Sequence, residues 1–251
     1  MAHVTKVYGR NSPALLDIDL RVEKGQFLYL IGPNEAGKTT LLKLLYGAER
    51  PTEGEIRVNG FDVTRLKPRE IPHLRRNLGV IFQDLKLLPR RTAMENVAFA
   101  LEVLGAVRKE ALKKAFQALR MVGLERRGNF FPSQLSAGEQ QRLAIARAIV
   151  NEPGLLLADE PMSNIGLTAT EEIMRLFENI NLRGTTIILA THNADLPTMW
   201  PKGWVILERG RLVESSFSNP VPPVAPTRIR EAMQLTEQNS FSDGKVVPAG
   251  K

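Results

Sequence analysis

At 251 residues, with 43% hydrophobic and 24% charged residues, the chain can bury a sizeable core as one large domain or two small ones, and its make-up is that of a soluble globular protein. No run approaches roughly 18 consecutive apolar residues, Met1-Ala2-His3-Val4 lacks a charged-then-apolar leader, and there is no cysteine; a spanning helix, a secretory signal, disulfides and thiolate metal sites are therefore not expected, and a reducing compartment fits. The formal net charge of +7 is concentrated, because residues 64–91 hold Arg65, Lys67, Arg69, Arg75, Arg76, Lys86, Arg90 and Arg91 against Glu70 and Asp84, a local excess of +6 suited to nucleic acid, an anionic membrane surface or an acidic partner.

In chain order, Tyr8 closes a short strand-like stretch and reads either as an ordinary strand residue or as an aromatic that stacks on a base. Leu16, Ile18, Leu20 and Val22 alternate with Asp17, Asp19 and Arg21, the period-two pattern of a half-buried strand. The apolar run from Phe27 to Ile31 then leads into Gly32-Pro33-Asn34-Glu35-Ala36-Gly37-Lys38-Thr39, and residues 40–46 read as a helix closed by Gly47. Two glycines at this spacing, followed by Lys and Thr between a strand and a helix, make a phosphate loop. Its backbone N–H groups and helix dipole hold phosphate oxygens, Lys38 reaches the β- and γ-phosphates, and Thr39 offers its hydroxyl to Mg²⁺. Residues 55–58 followed by Asn59-Gly60 read as a strand ending in a tight turn, part of a small antiparallel layer around the loop.

Residues 78–82 form a short apolar strand that delivers Gln83, and a polar residue at a strand's carboxyl end is where α/β sheets place ligands. Thr92 and Glu95 have capping-box spacing at the start of a helix, and 109–122 is helical until Gly123, so 87–132 reads as a helical insertion. Ser136 and Glu139 repeat that spacing in Leu135-Ser136-Ala137-Gly138-Glu139, opening a helix to about residue 150; the small Ala137 and Gly138 leave room for phosphate at its N-terminus. Four apolar residues, 155–158, run into Asp159-Glu160 like a buried central strand emerging at an active site. Thr168 and Glu171 mark another helix start, residues 185–190 another buried strand delivering Thr191-His192, and 204–207 with 211–214 a terminal hairpin about Glu208-Arg209-Gly210. Beyond Ser215, Pro220, Pro222, Pro223 and Pro226 precede a polar tail expected to be disordered, with one short helix near 228–235.

These segments together resemble the ATP-binding subunits of ABC-type systems over residues 1–215, because the phosphate loop (Walker A), Gln83, the Leu135-Ser136-Ala137-Gly138 signature, Asp159-Glu160 and His192 occur in that family's order. Residues 64–76 and Ile81-Phe82-Gln83-Asp84 resemble its cell-division branch. The resemblance implies an α/β fold: a P-loop NTPase core with a mainly parallel sheet, an N-terminal antiparallel β layer and a helical subdomain at about 87–150, followed by a Pro-rich tail at 216–251. It also implies an ATPase active as a homodimer, with each ATP held between one chain's phosphate loop and the other chain's signature helix. Tyr8 would then stack on adenine, residues Gly32 to Thr40 (Pro33, Asn34, Glu35, Ala36, Gly37, Lys38, Thr39 and Thr40 among them) would cradle the phosphates, and Thr39, Gln83 and Asp159 would arrange Mg²⁺. Ser136, Ala137 and Gly138 would approach the γ-phosphate from the opposite subunit. Glu160 would orient or deprotonate the attacking water, and His192 would contact the γ-phosphate and couple its loss to reopening. Three positions depart from the family pattern, the mildest being Ala137 in place of the first signature Gly. Glu35 puts a carboxylate where a small or neutral residue is usual, which repels a triphosphate unless the side chain turns to solvent. Gly166 replaces an Asp in the loop after Glu160.

The expected partner is an integral membrane protein resembling FtsX, met at the cytoplasmic face of the bacterial inner membrane through the basic region around Gln83, together with other division proteins. The alternatives are the ATPase of a small-molecule exporter or a lipoprotein-release system, and a weakly hydrolysing division scaffold. A nucleic-acid role is disfavoured, since the basic stretch lacks interleaved stacking aromatics.

Overall fold

The computed structural model describes residues 1–9, 12–163 and 165–216; the expectations for the tail past residue 216 lie outside the described residues. Along the chain, β1 (Ala2–Tyr8) and β2 (Ser12–Ile18) lead to β3 (Phe27–Ile31), the phosphate-loop turn and α1 (Lys38–Leu45). Next come β4 (Glu53–Glu55), β5 (Arg57–Val58), β6 (Phe61–Asp62), α2 (Ile71–Arg76) and β7 (Leu78–Ile81). A helical segment follows, comprising α3 (Ala93–Glu102), α4 (Arg108–Met121) and α5 (Ala137–Ile149). The chain then returns through β8 (Leu155–Asp159), α6 (Leu167–Leu182), β9 (Thr186–Thr191), α7 (Leu196–Met199), β10 (Gly203–Glu208) and β11 (Arg211–Ser215).

The main sheet has the order β11-β10-β3-β9-β8-β7, parallel except for β11 at one edge. Its central strands are buried on both faces, which is why they read as unbroken apolar runs. Side chains alternate between two cores. Phe27, Tyr29 and Ile31 of β3, with Leu156 and Ala158 of β8 and Ile187 and Leu189 of β9, join the core shared with α3 to α6. Leu28, Leu30, Leu155, Leu157, Ile188 and Ala190 face the other way, onto α1, α2 and the antiparallel sheet β2-β1-β4. Each fully buried Leu, Ile or Phe here contributes roughly 1.5–3 kcal/mol, so the sheet is held from both sides. The consequence for function is geometric: every parallel strand ends at the same edge, where Gly32, Gln83, Glu160 and His192 follow.

Several local expectations change. The alternation from Leu16 to Val22 predicts one long strand, but β2 ends at Ile18, and Leu15 and Ile18 are its fully buried residues. Asp17 at φ 52° and the irregular β1–β2 register insert a bulge that shifts the inward face by one residue. The strand expected at 55–58 splits in two: β4 pairs with β1 and β5 pairs with β6, the latter through Asn59 (φ 48°) and Gly60 (φ 84°), both left-handed as this two-residue turn needs. Thr168 does not cap α6. The helix begins at Leu167 with Gly166 at its N-cap and no side-chain cap, while Thr170 turns its hydroxyl back to Gly166 O. The short helix α2 carries no periodic apolar stripe beyond Leu74 and is not legible in the sequence.

Candidate functional site

The loop between β3 and α1 has a shape that only glycine permits at two points. A Cβ on Gly32 would lie 2.2 Å from Leu207 O, and one on Gly37 would lie 2.4 Å from Ala14 O. Gly37 also sits at φ 108° as the N-cap of α1, which has neither a side-chain cap nor an acidic residue in its first turn. The N–H groups of that turn, and the positive end of the helix, are thus left for an anion. Lys38 is buried, and its Nζ donates to Gly32 O (2.7 Å) and Pro33 O (2.9 Å). Ala36 O accepts from Gly210 N at 3.0 Å, so the terminal hairpin braces the loop.

Opposite the loop stand the two carboxylates that end β8. Asp159 is buried with Oδ1 lacking a hydrogen-bond partner; burial pushes its carboxyl above the usual range, opposed by a hydrogen bond from Thr39. Glu160 is equally buried and sits at φ 47°, its N–H bonded to Ala190 O at 2.9 Å. His192 Nδ1 lies 2.9 Å from Glu160 Oε2, and Lys38 Nζ lies 3.3 Å from Oε1, close enough for an ion pair but without hydrogen-bond alignment. With Glu160 ionised, the Nδ1–H of His192 donates and Nε2 is left as an acceptor. A depression of about 390 Å³ lies between these groups, lined by Ala14, Asn34, Glu35, Gly37, Lys38, Thr39, Thr40, Gln83 and Glu160.

Glu35 is exposed at the mouth of the depression, with φ 65°. Gln83, also exposed, borders a second hollow of about 240 Å³ that includes Ala137, Gln141 and Ser163. The turn after Gln83 places Leu85 and Lys86 at φ 57° and 48°, and Arg147 of α5 holds it by donating to both carbonyls, at 2.5 and 2.6 Å. Ser136 caps α5 in a reciprocal box: Glu139 N donates to Ser136 Oγ, and Glu139 Oε2 accepts from Ser136 N. Ser136 and Ala137 are exposed and do not line the phosphate-loop depression, nor does Gly138. Tyr8, at the end of β1, is half-buried beneath Lys6, whose Nζ lies 4.7 Å from its ring; it too stands outside the depression.

The fitness of this cradle for a nucleoside triphosphate rests on three features: two Cβ-free approaches, an uncapped helix N-terminus beside a lysine, and an orphaned carboxylate oxygen beside a threonine hydroxyl. A model of the ABC transporter family matches residues 15–163. The chain belongs to the ABC transporter family. Among curated relatives, the cell division ATP-binding protein FtsE of Mycobacterium tuberculosis is 47% identical over 213 residues, covering 84% of this chain and 92% of that protein. FtsE of Streptococcus pneumoniae is 44% identical over 213 residues, with 85% and 93% covered. An ATP-binding cassette solved as a dimer in a post-hydrolysis state, bound to ADP and Pi, superposes with a TM-score of 0.78 at 34% identity, covering 86% of this chain and 96% of that one.

As an ABC ATPase, the chain has ATP as its ligand, and the depression at Lys38 unites the phosphate loop with Gln83 and Glu160. The residues that sequence reasoning missed are Ala14, which walls the loop, Lys43, whose charge acts on Asp159, and Arg147. Ala14 and Lys43 lie in ordinary strand and helix pattern and send no signal. Arg147 likewise lies in ordinary helical pattern, and only the structure shows it half-buried against the turn after Gln83.

Proposed function

We propose that this chain is the ATP-binding and hydrolysing subunit of a membrane-associated complex of bacterial cell division, acting with an integral membrane partner of the FtsX type to regulate cell-wall hydrolysis. The observation that carries the catalytic part is Glu160: a buried carboxylate with one oxygen fixed by His192 and the other facing Lys38. Lys38 leaves the carbonyls of Gly32 and Pro33 for the β- and γ-phosphates, and the N–H groups of residues 34–40 wrap the same oxygens. Glu160 Oε1, freed of Lys38, takes a proton from water as that water attacks the γ-phosphorus and the bond to the β,γ-bridging oxygen breaks. His192 keeps Glu160 aimed through Nδ1–H, and its Nε2 accepts from the P–OH that the attacking water leaves on the departing phosphate. Thr39, Gln83 and Asp159 are the residues that would hold Mg²⁺, which when bound neutralises phosphate charge. Tyr8 stacks on the adenine. Ser136, Ala137 and Gly138 come from a second copy, which fits the exposure of Ser136 and Ala137 and the absence of all three from the lining of the chain's own depression.

Glu160→Gln is expected to keep ATP binding and lower turnover by roughly 10²–10⁴-fold; turnover within a few-fold of wild type contradicts the assignment. No helix among the described residues is long and apolar enough to cross a membrane, so contact with the inner membrane runs through the partner. Of the basic residues at 64–91, Arg65, Arg75, Lys86 and Arg91 are engaged within the chain. Lys67, Arg69, Arg76 and Arg90 have no ion pair or side-chain hydrogen bond among the described residues, which suits them to an acidic partner. Reversal of Arg76 and Arg90 together abolishes co-purification with the membrane partner if this surface docks it; undiminished co-purification sinks the docking idea. Arg75 is a poorer probe, since it ties α2 to Tyr46 O and Gly47 O.

A further inference from the structure

Another hollow, of about 620 Å³ and distinct from the two beside Gln83, opens at the opposite end of the sheet from the phosphate loop. Leu155 and Thr186 are the first residues of β8 and β9, and Leu45 is the last of α1, so the hollow lies one strand length, about 15 Å, from the nucleotide edge. Its floor is the buried Leu45, Val58, Leu155 and Ile188, and its walls are Met1, Leu20 and Val22. The rim is polar: Lys24 and Arg57 bring two cations, Asn59 and Asn77 two amides, and no carboxylate among the described residues lines the space. Lys24 makes no ion pair among the described residues, and Arg57 has only a long contact of 3.9 Å with Glu55.

We propose that this hollow binds an amphiphile with an apolar chain and an anionic head, of the type of a long-chain carboxylate. Its volume is in the range of small-molecule sites, roughly 300–1,000 Å³, which share this plan of apolar lining with a few convergent polar groups. The chain of the ligand covers the apolar floor, and the head meets Lys24 and Arg57, where an anion finds complementary charge at a solvent-accessible rim. A neutral amphiphile satisfies only the first requirement and a short acid only the second. The site is separate from the nucleotide cradle and shares no lining residue with it.

The test is calorimetric titration of the full chain with laurate, with dodecanol and acetate as the uncharged and tail-less controls, and with phosphatidylglycerol vesicles as a separate arm. Saturable binding of one laurate per chain is expected, with roughly tenfold weaker binding after joint reversal of Lys24 and Arg57 to Glu, a change of about 1.4 kcal/mol. Val22→Trp, which fills the hollow from its wall, removes binding while ATP binding persists in both variants. Laurate without vesicles points to a free acid, and uptake from vesicles as well points to a lipid; either supports the site. No saturable uptake in either arm, or uptake indifferent to both variants, overturns it. ATP binding in the same samples separates failure of this proposal from failure of the nucleotide assignment.

Discussion

Glu35 occupies backbone at φ 65°, which glycine adopts freely and other residues at about 1–2 kcal/mol. Its carboxylate lies at the mouth of the depression proposed above to receive the triphosphate. Glu35→Gly is therefore expected to tighten ATP binding by roughly fivefold, about 1 kcal/mol of relieved repulsion, without loss of folding stability; calorimetry giving unchanged or weaker affinity shows that the side chain stays in solvent. Asp159 has the opposite tension, a buried carboxylate whose Oδ1 lacks a hydrogen-bond partner. Because burial raises its pKa, the folded chain holds that proton more tightly than the unfolded chain, and the ligand-free protein loses stability as pH rises through the raised value. Asp159→Asn is expected to melt higher than wild type without ligand, by on the order of 1 kcal/mol near pH 7. The gap closes toward about pH 4, and the Mg²⁺-dependent gain on adding ATP disappears. A gap that ignores pH contradicts this reading. At this scale the sequence spoke plainly where chemistry forces residue type, as at Gly32, Gly37, Lys38 and Thr39. It was silent where the role comes from packing, as at Ala14.

Among the elements, strands buried on both faces and capped helices were legible because their signals are local: Phe27 to Ile31 is uniformly apolar, and Thr92 with Glu95 forms the reciprocal box its spacing implies. What was lost depends on partners far along the chain. The bulge at Asp17 comes from pairing with β1, and the start of α6 at Gly166 leaves Thr168 within the helix. The turn after Gln83 is such a case too, since Leu85 and Lys86 hold left-handed backbone that local sequence does not favour. Arg147, whose guanidinium burial makes it less basic than usual, pins that turn through two charge-assisted hydrogen bonds. Arg147→Met keeps the aliphatic stem and removes both bonds, and should destabilise the fold by about 2 kcal/mol. Turnover is expected to fall more than ATP affinity, because Gln83 is misplaced while the loop at Lys38 is intact. Equal loss of both, or neither, argues against a positioning role.

For the whole molecule, the site as proposed above is divided between two copies. The parallel sheet gathers Lys38, Thr39, Gln83, Asp159, Glu160 and His192 at one edge, whereas Ser136 to Gly138 open α5 outside the depression at Lys38, with Ser136 and Ala137 exposed and Ser136 tied into its own cap. A similar cassette was solved as a dimer; in the arrangement proposed above, a second copy would bring its α5 to the first copy's phosphate loop. The measurement that addresses this most directly is the mass of the Glu160→Gln chain by light scattering, with and without ATP and Mg²⁺. One chain is expected without nucleotide, two with it, and a return to one when Ser136→Arg is added even though ATP still binds. A chain that binds ATP yet remains single, or that pairs equally well with Ser136→Arg, would contradict a site shared between two copies.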